Sequence, residues 1–78
     1  MSEIRPEHIK KFRKLAREMD KLMREICTYN EEANLYVEDS WNANLMKGPT
    51  HDDSRYSRAL QENVAATETI FKASGGGW

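Results

Sequence analysis

Glu62-Asn-Val-Ala-Ala-Thr-Glu-Thr-Ile-Phe-Lys72 is the stretch on which the fold of this chain turns. Read as a helix, it continues a spacing of Tyr56, Leu60, Val64, Thr67 and Phe71. Thr50 and Asp53 then resemble a capping box, and Gly75 closes a helix over about 52–73. Read as a strand, the stretch gathers Val64, Thr67, Thr69, Ile70 and Phe71, β-branched and aromatic side chains that lie well on a pleated surface. A strand over about 62–72 also completes a sheet for the rest of the chain to cover, and this reading is preferred. The helical reading leads to the alternative fold, an all-α helical hairpin with an irregular middle.

Working outward, Leu35, Val37, Trp41, Ala43 and Leu45 occupy odd positions, with Tyr36, Glu38, Ser40, Asn42 and Asn44 between them. That alternation is the signature of half-buried strands, and Asp39-Ser40 is the turn that splits the run in two. Lys47-Gly48-Pro49-Thr50-His51-Asp52-Asp53 reads as a loop. Further upstream, Ile9, Phe12, Leu15, Met19, Leu22 and Ile26 recur at steps of three and four. Pro6 suits a first helical turn, and no Gly or Pro interrupts the segment up to Tyr29. A helix over about 6–29 is predicted, with Asn30 as its stop. The expected fold is therefore α+β: one N-terminal amphipathic helix packed on a small antiparallel sheet of two or three strands. Its apolar stripe is expected to face Leu35, Val37, Leu45 and Val64. Residues 1–74 are expected to form a single domain, and 75–78 a flexible Gly-rich tail ending in Trp78.

The chain has 78 residues, 38% of them hydrophobic. Domains this short bury only about 60% of their unfolded surface and usually need a staple. Cys27 is the lone cysteine, which excludes an intrachain disulfide. A thin core without disulfide or metal argues for a homodimer. The cysteine usage fits a reducing cytoplasm, and with no apolar run near 18 residues neither signal peptide nor membrane span is expected. The formal net charge of −1 hides an asymmetry of +3 over 1–30 against −4 over 31–78, which points to a charged partner or to head-to-tail pairing of copies.

Candidate functional residues fall into two groups. Trp78, Tyr36, Met46 and Phe71 are large apolar or aromatic side chains in need of cover and are the expected partner-binding residues. Lys10, Lys14, Arg17, Lys21 and Arg24 form a basic stripe opposite the apolar one. Such rows contact phosphate or acidic partners. A solvated helix back, supported by Glu7–Lys11 and Asp20–Arg24 pairs, is the favoured reading of this stripe, so nucleic acid is a secondary expectation. His51-Asp52-Asp53 has metal-ligand chemistry but reads as a polar turn, because a zinc site wants about four ligands while His8 is the only other imidazole and Cys27 the only thiol. Glu31-Glu32 and Glu38-Asp39 are adjacent acids, which in a strand point to opposite faces. Cys27 has no base near it in sequence. No catalytic residue, metal or cofactor is expected.

The stretches Asn34-Leu-Tyr-Val-Glu-Asp-Ser40, Asn44-Leu-Met-Lys-Gly-Pro-Thr-His-Asp52, Gln61-Glu-Asn-Val64 and Ser74-Gly-Gly-Gly-Trp78 resemble short uncharacterised proteins of tailed bacteriophages and prophages. The resemblance covers about residues 30–78. It implies a helix followed by short strands, a bacterial host cytoplasm, and a small accessory protein that binds other proteins. An inhibitor of a host defence protein is the sharpest form of that expectation. It carries no catalytic residues over, and the helix over 6–29 lies outside it.

Overall fold

The computed structural model describes residues 3–77. It comprises α1 (Pro6–Cys27), β1 (Asn34–Glu38), β2 (Asn42–Met46), a 3-10 turn (Gln61–Asn63) and β3 (Val64–Thr69). The sheet is antiparallel throughout, in the order β1-β2-β3. The chain is thus α+β, and Val64–Thr69 of the deciding stretch is a strand, the state its β-branched content favours. β3 is shorter than the predicted 62–72 at both ends: Asn63 ends the preceding turn, its amide binding the Leu60 carbonyl and its carbonyl accepting from the Lys47 amide, and beyond Thr69 the chain turns, the Ala73 amide binding the Ile70 carbonyl.

Pro6 sits at the start of α1, where a missing N–H costs nothing, and Glu7 and Arg24 complement the helix dipole at its two ends. The helix ends at Cys27, two residues before the predicted limit. Thr28 turns its hydroxyl back to the Glu25 carbonyl at 2.6 Å, and the Tyr29 and Asn30 amides both bond the Ile26 carbonyl. Asn30 acts just beyond the helix. Its carbonyl oxygen Oδ1 accepts from the Glu32 amide, and Nδ2 donates to the Lys47 carbonyl at 2.9 Å. Asn34 likewise donates to Gly48 at 3.0 Å, so two asparagines tie the helix-to-sheet connection to the end of β2.

The predicted Asp39-Ser40 turn is present, with Trp41 completing it at φ 70°. Across the hairpin, Leu35 pairs with Leu45 and Val37 with Ala43. Leu45 pairs with Ala66 but Met46 with Val64, so Ala65 is an extra residue in β3, a bulge. This register corrects the expected core. Leu35, Val37, Ala43 and Leu45 share the helix-side face, whereas Val64 stands beside Met46 on the other. That second face holds the best-buried side chains, Met46, Asn44 and Glu38. Its polar atoms are matched: Asn44 Nδ2 donates to the Tyr36 carbonyl, and Thr67 and Thr69 hydroxyls donate to Asn44 and Asn42. Among the described residues no fully buried side-chain nitrogen or oxygen lacks a hydrogen bond.

The glycine run departs from the expected flexible tether. Gly76 pairs with Glu38 in parallel, accepting from the Asp39 amide and donating to the Val37 carbonyl, both at 3.1 Å. A Cβ on Gly75 would lie 2.0 Å from the Val37 oxygen, so only glycine permits this approach. The outer edge of β1 is thereby paired at its C-terminal end. The helix side is not. Ile9, Phe12 and Leu15 are exposed at 41%, 71% and 56%. The radius of gyration is 14.8 Å, against about 11.5 Å for a compact chain of this length.

Candidate interaction surface

The site begins with the width of the apolar stripe. Around Phe12, Leu15, Met19, Leu22 and Ile26, the helix adds Ile9, Ala16 and Met23 on one flank, giving three apolar positions per seven, the width of a core-facing helix. The sheet is too small to meet all of it. A helix of 22 residues is about 33 Å long, while strands of five or six residues span under about 20 Å. Only the C-terminal half of the stripe reaches the sheet. Met19, Leu22 and Met23 stand across from Leu35, Ala43, Leu45, Ala66 and Ile70, enclosing an open apolar cleft of about 220 Å³ with Glu68 at its lining. Met19 and Leu22 remain 40% and 45% exposed although they line it. The N-terminal half projects past the sheet with Ile9, Phe12 and Leu15 uncovered. Transfer of a large apolar side chain out of water is worth about 1.5–3 kcal/mol, so this ridge is a substantial unspent driving force for association.

A second aromatic cluster borders the sheet. Trp41 and Phe71 meet edge-on with centroids 5.3 Å apart, and the Trp41 carbonyl accepts from the Ile70 amide at 2.7 Å. A non-glycine residue at positive φ is uncommon, and here the ring contact and this hydrogen bond hold it.

The expected partner-binding residues separate. Phe71 is exposed, as a contact residue must be. Tyr36 is half-buried: its hydroxyl donates to the Gly77 carbonyl and its ring stands edge-on to His51 at 6.2 Å. Met46 is corrected, being fully buried within the chain and closed to any partner. Trp78 lies outside the described residues. Lys10, Lys14, Arg17, Lys21 and Arg24 all lie exposed on α1. Of the two expected helix pairs only one forms. Arg24 Nε bonds Asp20 Oδ2 at 2.9 Å, and this hydrogen bond holds the guanidinium pKa above its ordinary value. Glu7 turns instead toward Arg5, at 3.9 Å.

His51-Asp52-Asp53 is a structured turn. Asp52 Oδ1 accepts from the Ser54 hydroxyl, the Ser54 amide and the Arg58 amide at 2.5, 3.1 and 2.9 Å. The Ser54 hydroxyl is the main cause of an Asp52 pKa below the usual carboxylate value. Arg58 bridges Asp52 and Glu62 at 3.4 and 3.1 Å, and its pKa is raised chiefly by Glu62. Among the described residues, no three His, Cys, Asp or Glu side chains converge as metal ligands. Cys27 is half-buried and points its thiol at the Ala33 carbonyl, 3.6 Å away.

Residue patterns alone missed Ala66 and Ile70 as cleft residues and the exposure of Ile9, Phe12 and Leu15. The available signal was arithmetic: an apolar stripe about five turns long against strands of five or six residues. No helix of the described chain is long and apolar enough to cross a membrane. No family profile, no curated protein and no solved structure matches the sequence.

Proposed function

We propose that this chain works by binding rather than by catalysis, as a small protein-interaction module whose contact surface is the apolar face of α1 with the adjoining cleft. The observation that carries the reading is the uncovered ridge Ile9, Phe12 and Leu15 leading into the cleft beneath Met19 and Leu22. An amphipathic helix with its apolar face in water marks an interaction site. The resemblance of residues 30–78 to short phage and prophage proteins supports placing it among phage accessory proteins of the host cytoplasm. Engagement of a host protein, a defence factor among them, is the activity this reading implies.

The basic face of α1 supports a second reading, nucleic-acid binding. It ranks lower because Arg24 is already paired with Asp20, and no aromatic residue is interleaved in the basic stripe of the sequence. Two variants separate the readings. Phe12→Glu with Leu15→Glu should abolish association while the helix persists by circular dichroism. Lys14→Glu with Lys21→Glu should leave it intact. Loss confined to the second pair, with steep salt sensitivity, would replace the first reading with the second.

A further inference from the structure

Resting on that reading, we infer that the surface takes a second copy of this chain, with the two α1 helices side by side and antiparallel, and that Phe12 of each copy enters the cleft of the other.

Area comes first. A folded chain of 9.1 kDa exposes about 4,900 Å², yet this one exposes 6655 Å², an excess of about 1,750 Å². Obligate homodimers bury roughly 1,000–2,500 Å² per partner, which brackets that excess. Placement comes second. In each chain one half of α1 lies over the sheet and the other half projects past it. Antiparallel pairing lays each projecting half beside the covered half of its partner, over the same sheet face. The interface is then the same patch on both copies and closes on itself, as two-fold symmetry requires.

Spacing and charge fix the register. Phe12, Leu15, Met19 and Leu22 alternate steps of three and four, the seam of a helix pair. Centring the pair near Arg17 sets Phe12 against Leu22 of the other copy and Leu15 against Met19. Leu22 and Met19 line the cleft, so this register delivers the Phe12 ring to it. Ala16, small enough for close approach, falls beside its own copy at the axis. Along one flank Lys11 then faces Glu25, twice by symmetry, with one Glu18–Glu18 contact opposing. Residues 3–16 hold five Lys/Arg against two Glu, a net of +3, while 31–78 carry −4. Antiparallel pairing brings these regions of different copies together, whereas a parallel pair stacks the two basic halves.

Sedimentation of the full chain should give a dimer at roughly 100 μM. Lys11→Glu or Glu25→Lys alone should weaken it about tenfold, and the two together should restore it. In a Cys27→Ser background, Ala16→Cys should be joined to its copy by a short bismaleimide, and Lys14→Cys on the helix back should not. A monomer throughout this range overturns the inference. So does a dimer that Ala16→Cys fails to link, or one indifferent to both charge changes. The underlying reading is tested apart: a monomer that loses another partner through Phe12→Glu with Leu15→Glu defeats the dimer alone. A dimer that survives those two changes defeats both.

Discussion

At the scale of single residues, several small side chains decide what the backbone can do. Gly75 and Gly77 look equivalent in the sequence, yet only Gly75 lies where a Cβ meets backbone, at the Val37 carbonyl, while Gly77 has nothing within 4 Å. Gly75→Ala should therefore lower stability by roughly 1–3 kcal/mol and speed hydrogen exchange at the Asp39 amide, and Gly77→Ala should do neither. Asp52 gives a pH signature. Its hydrogen bond from Ser54, with help from the Arg58 amide and charge, favours the ionised carboxylate in the folded chain. A depressed folded pKa contributes stability that is present above the unfolded value near pH 4 and is lost as pH falls through the folded value. Melting curves of the parent should thus drop on acidification below about pH 4, and Asp52→Asn should flatten that drop. The adjacency of Asp52 to Ser54 was visible in the sequence. The return of the Arg58 amide to the same oxygen was not, since it depends on the path of the intervening loop.

At the scale of elements, the sheet and the helix differ in how they are held. The sheet buries Met46 completely, and Met46→Ala should cost about 2–5 kcal/mol by denaturant titration. The helix is held by its C-terminal half and by the Asn30 and Asn34 anchors. In dilute solution, amides of residues 9–16 should exchange faster than those of 20–27, because exposed turns of a short helix open locally. Both strand readings rested on side-chain type and alternation, which are local properties, and both elements are present. The faces were less legible. Val64 is expected on the helix side, but the bulge at Ala65 sets it beside Met46, and a one-residue shift exchanges the faces of a strand.

At the scale of the whole molecule, the chain has more apolar helix than sheet to cover it, and its stability should depend on concentration. The melting temperature should rise as protein concentration increases, the mass-action mark of a folded oligomer. Leu15→Ala is the sharper probe. Half-exposed in a single chain, it should cost under about 1 kcal/mol in a monomer, but about 2–5 kcal/mol per chain when buried between helices. Comparing its effect at two concentrations tells these apart. By itself the sequence determined the N-terminal helix, the alternating pair of strands, the hairpin turn between them and the two opposed stripes of α1, because periodicity and turn chemistry act over a few residues; over 62–72 it left strand and helix both open, with β-branching favouring the strand. Tertiary structure alone decided that Met46 is sealed inside, that Gly75 and Gly76 dock at the C-terminal end of β1, and that Ile9, Phe12 and Leu15 find no cover among the described residues. Each of those depends on register and on relative element length, quantities set by residues far apart in the sequence and read by none of them singly.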